Sequence, residues 1–385
     1  MLSSDANRIY LDHNATTKPA PEVVEAATWA AGLANPSSLH AEGRAARQAL
    51  EVARRQVAAL LEADPAEVIF TSSGTEANNT AILGAARAAR RRGRPAHLVT
   101  GPLEHPSVLK PLSVLVSEGF TLDRLPVDPC GRIDPDDLRR LLRERPAALV
   151  TLQLVNHELG NINPLAEVAR VCREHGALLH CDAVQGVGRL PLDRSMLAAD
   201  LLSVSAHKLG GLKGAGALIV RRPTEIEPLL LGGHQERGRR AGTENLPALV
   251  GFGVACARAQ TGLEERARRV AMLRDRLEAQ LLALPGARRN GDGERRVPGT
   301  CNVAFDGVEG QVLMMALDLR GVACSTGAAC SSGSPEPSPV LLALGQPPLC
   351  ALEAVRFSLS ETNTEEEVDQ VVVWVQEIVA RARSV

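Results

Sequence analysis

Lysine, aromatic residues and long apolar runs are all scarce in this sequence of 385 residues. Only four of its 43 basic residues are lysine, and aromatic residues make up 2% of the chain. The eight cysteines include no CxxC pair, so neither a zinc site nor a disulfide framework is indicated. Without a membrane-length apolar run or a basic and then apolar leader, we expect a cytoplasmic protein with no membrane partner. The formal net charge of −2 gives no reason to expect direct nucleic-acid binding.

The order of the predicted elements indicates an α/β fold. The chain is 45% hydrophobic and 23% charged, as in ordinary globular proteins, and is long enough for two domains. Short apolar strands alternate with helices, a pattern typical of a mostly parallel sheet flanked by helices. The predicted strands are 68–71, 97–100, 147–154, 177–180, 201–205 and 215–220, and the predicted helices are 21–34, 41–63, 75–92, 106–118 and 164–175.

A second region follows a long predicted helix near 246–282. Strand 300–305 alternates there with helices 309–320 and 364–382, which favours a smaller α+β domain. We therefore predict a large domain over 16–260 and a small domain built from 1–15 and 261–385.

Lys208 stands at the end of the apolar strand 201–205, just before Gly210 and Gly211. A desolvated ammonium is costly, and arginine serves nearly everywhere else in this chain as the basic residue. Lysine, unlike arginine, can lose its proton and form a Schiff base with a carbonyl compound. The alternative is that Lys208 is simply a partner for a phosphate or a carboxylate.

Two further strand ends carry residues suited to an anionic ligand and to a cationic one. Gly74 and Thr75 lie where a strand gives way to a helix, and the N–H groups of a helix N-terminus bind anions. The GxxxxGK[ST] sequence of a P-loop is absent, and an ordinary N-cap by Ser73 or Thr75 is the alternative. Asp182 ends another strand and needs a cationic partner, such as a protonated pyridine nitrogen, unless it only caps the next helix.

His105, Asn156 and Glu158 also follow predicted strands, so they share the edge of the sheet where open α/β proteins bind ligands. A lone histidine is more often structural than catalytic, but His105 shares this edge with Asp182 and Lys208.

Cys330 lies in a different setting, a Gly/Ser-rich stretch over 321–335 that predicts a mobile loop. An accessible cysteine in a polar loop is typical of a nucleophile or a carrier, and the alternative is an ordinary surface thiol. Cys324, six residues earlier, is interpreted either as a thiol that resolves Cys330 or as a packed, idle one.

These stretches together resemble the cysteine desulfurases of the NifS/IscS type, which are fold type I pyridoxal 5'-phosphate (PLP) enzymes of aminotransferase class V. The resemblance covers about Tyr10 to Glu367, and its blocks in order form a highly specific combination. The blocks are 10–17 (YLDHNATT), 35–40 (NPSSLH), 71–79 (TSSGTEANN), 205–208 (SAHK), 236–245 (ERGRRAGTEN), 329–338 (ACSSGSPEPS) and 356–360 (RFSLS).

The resemblance implies a role for each matching residue. Lys208 would hold PLP covalently, His105 would stack on its ring and shuttle protons, and Asp182 would pair with the pyridinium nitrogen. Gln185 would meet the ring hydroxyl, while Asn156 and Arg356 would grip the substrate carboxylate. The phosphate would be held by Gly74, Thr75, Ser205 and His207, and by Thr243 of a neighbouring subunit, which implies a homodimer.

The implied reaction takes sulfur from L-cysteine, leaves a persulfide on the nucleophile Cys330 and releases L-alanine. The resemblance also implies a sulfur-acceptor protein, in iron–sulfur assembly, tRNA thiolation or DNA phosphorothioation. The alternatives are a selenocysteine or cystine C–S lyase, another class V aminotransferase, or a non-catalytic partner that keeps the fold. His157 stands where a second Asn is common and Leu212 where Pro is common, and we expect both to tune the activity.

Overall fold

The structure is a computed structural model that describes residues 8–192, 198–327 and 336–384. Its α-helices are α1 Pro21–Ala31, α2 Ala41–Leu60, α3 Gly74–Arg91, α4 Pro106–Ser117, α5 Pro135–Glu144, α6 Leu165–Glu174, α7 Leu246–Gln260, α8 Leu263–Leu282, α9 Gly310–Leu319, α10 Pro339–Ala343, α11 Pro348–Leu352 and α12 Glu365–Ala382. Short 3-10 helices cover Pro65–Glu67, Ala206–Lys208 and Gln235–Gly238.

Most strands belong to one seven-stranded sheet. The strands are β1 Ile9–Tyr10, β2 Val68–Thr71, β3 His97–Thr100, β4 Thr121–Arg124, β5 Leu149–Gln153, β6 Leu178–Asp182, β7 Leu201–Ser205, β8 Gly216–Val220, β9 Ala287–Arg289, β10 Thr300–Phe305, β11 Val322–Ala323 and β12 Ala354–Ser358. The large sheet has the order β2-β8-β7-β6-β5-β3-β4. Its pairs are parallel except those of β8, which runs antiparallel to both β2 and β7. The predicted α/β fold with a mostly parallel sheet is confirmed.

The parallel arrangement sets the position of the site. Strands β3, β5, β6 and β7 are apolar and almost wholly buried because helices cover both faces of the sheet. Their carboxyl ends therefore open on one edge, the edge where α/β sheets of this kind bind ligands.

A second hydrophobic core lies around the smaller sheet β12-β10-β9. Helices α8, α9 and α12 pack on it through residues such as Leu277, Leu313 and Val375. The N-terminal strand β1 contributes Ile9 and pairs in parallel with β11, so the start of the described chain packs with its C-terminal part.

The predicted helix over 246–282 is wrong in one respect, because the structure divides it into α7 and α8. Thr261 is extended and Gly262 adopts φ +64°, a left-handed conformation that glycine takes without strain and that ends the first helix. The other predicted helices and strands are found with shifts of a few residues at their ends. Strands β4, β9, β11 and β12 and helices α5, α10 and α11 are not predicted.

In the part of the chain that the structure describes, no helix combines the length and the apolar character needed to cross a membrane.

Candidate active site

A cavity of about 270 Å³ opens at the carboxyl ends of the parallel strands. It brings together nine of the residues singled out in the sequence, namely Gly74, Thr75, His105, Asp182, Gln185, Ser205, His207, Lys208 and Arg356. These residues come from five separate segments of the chain. Their convergence supports the view that this edge of the sheet is one functional site.

Lys208 ends the short 3-10 helix that follows β7, and its amine lies inside the cavity. Its Nζ atom donates hydrogen bonds to the backbone oxygens of Asn14 at 2.5 Å and Ala15 at 2.8 Å. Burial, reinforced by the charges of Arg189 and Arg356, lowers the pKa of Lys208 to about 7. A substantial share of this lysine is therefore a free amine near neutral pH, as its position in the sequence led us to expect.

Arg189 lies beside this lysine and was not singled out from the sequence. Its guanidinium donates to the side-chain oxygens of Asn14 and Gln185, and to the backbone oxygens of His13 and Lys208. It forms no ion pair with a carboxylate in the described residues, so its charge acts on the site largely uncompensated.

Asp182 ends β6 and lies at the inner part of the same cavity. Its Oδ2 atom accepts a hydrogen bond of 2.7 Å from Asn78, and its Oδ1 atom accepts one of 3.1 Å from the N–H of Val184. The carboxylate thus does cap the following turn, which was the structural alternative, while it also lines the cavity. A cationic ring nitrogen in the cavity would supply the partner that it lacks among the described residues.

The first turn of α3 forms one end of the cavity, the end predicted to bind an anion. Ser73 is the N-cap, and its hydroxyl accepts from the N–H of Glu76 at 3.1 Å, so the N-cap alternative also holds. A Cβ atom at Gly74 would lie 2.8 Å from the Val184 side chain, which explains the glycine at this close approach. Ser205, which faces Gly74, is 2% exposed, and its hydroxyl has no hydrogen-bond partner among the described residues.

His207, near this end of the cavity, and His105, at the cavity wall, are both neutral. Burial, with the neighbouring charges of Lys208 and Lys213, lowers the pKa of His207 to about 4. Burial, with the ring of His157, lowers the pKa of His105 to about 4. The rings of His105 and His157 meet edge to face, with centroids 5.3 Å apart.

Arg356 lies on β12 and is 2% exposed. Its Nη1 atom donates to the backbone oxygen of His157 at 2.9 Å, and its Nη2 atom pairs with Asp12 at 2.8 Å. Its Nε atom has no hydrogen-bond partner among the described residues, so the guanidinium retains a donor for a small carboxylate.

Asn156 differs from its predicted position, because it does not line the cavity. Its Nδ2 atom donates to the backbone oxygen of Leu103 at 3.0 Å, while its Oδ1 atom accepts from the N–H groups of Glu158 and Leu159. These backbone contacts use the side-chain oxygen and one of the two N–H donors of the amide, and they order the turn after β5.

One other predicted residue among those described, Thr243, does not line the cavity of this chain. Thr243 is exposed, in the segment that follows the ion pair between Arg240 and Glu76 at 2.8 Å. Cys330 lies outside the described residues. Cys324 is half-buried against the smaller core, and burial raises the pKa of its thiol to about 12, which favours the packed-thiol alternative.

Several residues in the cavity were missed by the sequence reasoning. Asn14 and Asn78 lie within the quoted blocks 10–17 and 71–79, so the blocks contained them without assigning a role. The sequence gives only a weak indication that Arg189 belongs to the site: it is an arginine four residues after Gln185 and next to a turn glycine.

The cavity fits PLP on observations of the chain itself. A free-amine lysine suits the aldehyde, the carboxylate of Asp182 suits a pyridinium, and Ser205 and the first turn of α3 suit a phosphate. The space above Gly74 is also too narrow for a side chain, as expected where a ligand group is held close to the backbone.

Comparison with known proteins agrees with this assignment. The family model described as aminotransferase class-V matches residues 9–371, so the chain belongs to the aminotransferase class-V family. Within that family it is 45% identical to a protein named cysteine desulfurase NifS from Azotobacter vinelandii, covering 98% of this chain and 94% of the relative. It is 41% identical to a protein named cysteine desulfurase IscS from Methanosarcina thermophila, covering 100% of this chain and 95% of the relative. A solved structure titled NIFS-like protein matches with a TM-score of 0.90 and 35% identity, over 97% of this chain and 100% of that one.

Proposed function

We propose that this chain is a PLP-dependent cysteine desulfurase that converts L-cysteine to L-alanine and leaves the sulfur as a persulfide on Cys330. The observation that carries the proposal is the enclosure of Lys208 in one cavity with Asp182 and the first turn of α3, where burial lowers the pKa of the lysine to about 7. The relatives named above carry the same activity in their names.

The cofactor, when bound, withdraws electrons from the substrate carbon next to the amino group. Lys208 would hold it and, once freed, would move the proton at that carbon, a role that suits a pKa of about 7. Asp182 would keep the ring nitrogen protonated, Gln185 would face the ring hydroxyl, and His105 would stack on the ring as a neutral imidazole. The phosphate would be held by Gly74, Thr75, Ser205 and His207.

The sulfur step balances without an external oxidant or reductant. The C–S bond of L-cysteine breaks, and a new S–S bond joins that sulfur to Cys330. The carbon that carried the sulfur receives a proton instead, which yields L-alanine. The thiol of Cys330 becomes the persulfide Cys330–S–SH. Arg356 would hold the substrate carboxylate during this step, and Asn156 would support it by ordering the turn after β5.

The test is L-cysteine turnover by the holoenzyme and by Cys330→Ser, with alanine and sulfide followed together and a visible spectrum of each protein. Cys130→Ser, which removes an exposed thiol elsewhere, is the matched control. We expect both variants to keep the yellow cofactor absorbance and only Cys330→Ser to stop making alanine. Equal turnover by Cys330→Ser would make a C–S lyase or an aminotransferase the better assignment.

The lysine is tested separately with Lys208→Ala and its exposed neighbour Lys213→Ala. We expect Lys208→Ala to lose the covalent cofactor absorbance and all turnover, and Lys213→Ala to keep both. Full activity in Lys208→Ala would remove PLP chemistry from this lysine.

We further propose a homodimer with shared sites, in which Thr243 reaches the phosphate held by the neighbouring subunit. The exposure of Thr243 and the Arg240–Glu76 pair, which links its segment to the first turn of α3, support this arrangement. Mixing inactive Lys208→Ala with Thr243→Ala should restore one intact site per mixed dimer. No gain on mixing, with mixed dimers shown by mass spectrometry, would contradict it.

The remaining proposals concern organisation and context. The separate cores support a large domain over 16–260 and a small one from 1–15 and 261–385. The sulfur-acceptor protein is expected from the activity, and iron–sulfur assembly is suggested by the names of the relatives. A cytoplasmic location and the lack of direct nucleic-acid binding remain predictions from the sequence.

A further inference from the structure

Glu158 is a buried carboxylate to which the proposed mechanism gives no role. It follows β5, is 0% exposed, and its N–H donates to Asn156 at 2.9 Å, so its backbone is fixed at the ligand edge of the sheet. Burying an ionised carboxylate is costly unless it is paired and hydrogen-bonded, so its partners deserve an explanation.

The contacts of Glu158 lie on both sides of residues 328–335. Its Oε2 atom accepts a hydrogen bond of 2.5 Å from the hydroxyl of Ser338, which is 6% exposed and also caps α10. The same Oε2 atom would lie 3.1 Å from a Cβ atom placed on Gly327. One carboxylate oxygen thus binds the first buried residue after this segment, and the same oxygen leaves little room for a side chain on the residue before it.

The segment before 328 is also tied to Arg356. Ser325 and Arg356 exchange two backbone hydrogen bonds, of 3.1 and 2.6 Å, and the Ser325 hydroxyl donates to the backbone oxygen of Gly327. Arg356 in turn donates to the backbone oxygen of His157, the neighbour of Glu158. The entry to 328–335 and the arginine proposed to hold the substrate carboxylate are therefore fixed to the same turn.

Charge around Glu158 favours its ionised form. Burial alone would raise the pKa of Glu158, but the His157 ring, the Ser338 hydroxyl and the charge of Arg356 outweigh burial and hold the pKa below its usual value. The Nε2 atom of His157 lies 3.6 Å from Oε1 of Glu158. The anchor formed by Glu158, Gly327 and Ser338 is thus continuous with the His157–His105 pair at the cavity wall.

We propose that Glu158 and Ser338 are positioning residues that fix both ends of segment 328–335, which carries Cys330, relative to the cavity. The inference rests on the proposed function, since it concerns how the Cys330 thiol is presented to the substrate sulfur. A small displacement of a reacting group can lower a rate by a large factor. Holding the residues on both sides of the segment in place would therefore speed the attack of the Cys330 thiol on the substrate sulfur.

The experiment uses holoenzyme variants Ser338→Ala, Ser338→Thr and Glu158→Gln, with Thr364→Ala as the matched control. Thr364 caps α12 through the same kind of hydroxyl contact, but its partner is Glu367 and not Glu158. Three quantities are measured: the cofactor absorbance, the L-cysteine concentration that half-saturates its spectral change, and the single-turnover rate of persulfide formation on Cys330 by peptide mass spectrometry.

We expect Ser338→Ala and Glu158→Gln to leave cofactor content and half-saturation within about twofold while persulfide formation slows about tenfold or more. Ser338→Thr restores the hydroxyl and should recover most of the rate, and Thr364→Ala should match wild type. If Ser338 served only as a helix cap, its loss would not slow persulfide formation while leaving substrate binding unchanged.

Unchanged persulfide formation in both Ser338→Ala and Glu158→Gln would overturn the inference. So would a slower rate accompanied by an equal loss of cofactor, since that would indicate general damage to the fold. Failure of the proposed function gives a different result, because Cys330→Ser would then make alanine at the wild-type rate whatever the anchor variants do.

Discussion

The guanidinium of Arg189 donates a hydrogen bond of 3.2 Å to the backbone oxygen of Lys208, whose amine titrates in the cavity at about pH 7. The two cations lie together because Arg189 is held by oxygens of Asn14, His13 and Gln185 and forms no ion pair in the described part of the chain. A positive charge fixed beside a lysine favours the neutral amine, which is the form that attacks an aldehyde.

Replacing Arg189 should therefore shift the pH dependence of cofactor capture. In Arg189→Gln the lost charge raises the pKa of Lys208, so the rate of PLP uptake by the apoprotein should reach half its maximum about one pH unit higher. Arg356, Asp12 and Asp182, the other charged groups that affect this amine, are unchanged. Arg189→Lys keeps the charge and should move the midpoint much less. Equal midpoints for both variants and wild type would show that the charge has no effect.

His157 is expected to depress the pKa of His105 through its ring. Burial is the larger cause, so His157→Asn should raise the pKa of His105 from about 4 but leave it below the usual 6.5. The measurement is an NMR titration of the histidine ring signals, with His40→Asn, an exposed N-cap of α2, as the control. No movement of the His105 titration in His157→Asn would show that His157 does not affect the pKa of His105, which burial and the charges of Lys208, Asp182 and Glu158 would then set.

Asn78 and Asn79 are adjacent residues that should differ sharply in their contribution to stability. Asn78 is 1% exposed and donates to Asp182 and to Ser107 at 2.7 and 2.9 Å, whereas Asn79 is half-buried and donates only to the backbone oxygens of Thr75 and Ser107. Asn78→Ala leaves a buried carboxylate without its donor and should lower the free energy of unfolding by about 1–3 kcal/mol. Asn79→Ala should cost less than about 0.5 kcal/mol. Denaturant titration of both would contradict this account if the two losses were equal.

The buried ion pair between Arg54 and Glu236 should be a major support of the segment that leads to Thr243. Both side chains are nearly inaccessible, their atoms approach to 2.7 Å, and Glu236 also accepts from the N–H of Phe70. Arg54→Ala leaves the carboxylate buried and unpaired, so we expect a loss of about 3–5 kcal/mol in the free energy of unfolding. The exposed neighbour Arg55→Ala should change the midpoint of denaturation little. A loss below about 1 kcal/mol for Arg54→Ala would show that the pair is dispensable.

Arg356→Lys should separate substrate binding from cofactor binding. Lysine keeps the charge but loses the planar fork that meets a carboxylate, so KM for L-cysteine should rise about tenfold or more. The cofactor absorbance should remain, since Arg356 is proposed to meet only the substrate. Steady-state kinetics with an unchanged KM would remove Arg356 from the substrate site.

The parallel strands and the cavity edge could be predicted from the sequence because buried strands are apolar and end in polar or glycine-rich turns. Strand β4 could not, because Thr121–Arg124 is half-exposed, lacks an apolar pattern and forms by pairing with β3 at the edge of the sheet. The break between α7 and α8 was missed because residues that favour helices stand on both sides of Thr261 and Gly262.

The site could be predicted where one residue type implies its chemistry, as for Lys208, Asp182 and Gly74. The roles of Asn14 and Arg189 depend on contacts between distant segments, which no local pattern reveals. Asn14, for example, donates a hydrogen bond to Thr300, 286 residues away, and its backbone oxygen accepts one from the side chain of Gln185. Asn156 shows the converse, since an asparagine at the ligand edge can use its side-chain oxygen and one donor to order the backbone around it.

The N-terminal stretch has a practical consequence for anyone who tags or trims this protein. Residues 9 and 10 complete a strand pair with β11 in the smaller core, and the carbonyls of Asn14 and Ala15 hold the amine of Lys208. Removing residues 9 and 10 would therefore break the strand pair in the smaller core, and removing residues up to 15 would also take away both carbonyls that hold Lys208, the residue proposed to capture the cofactor. A spectral assay for the bound cofactor would detect such damage before any loss of solubility drew attention to it.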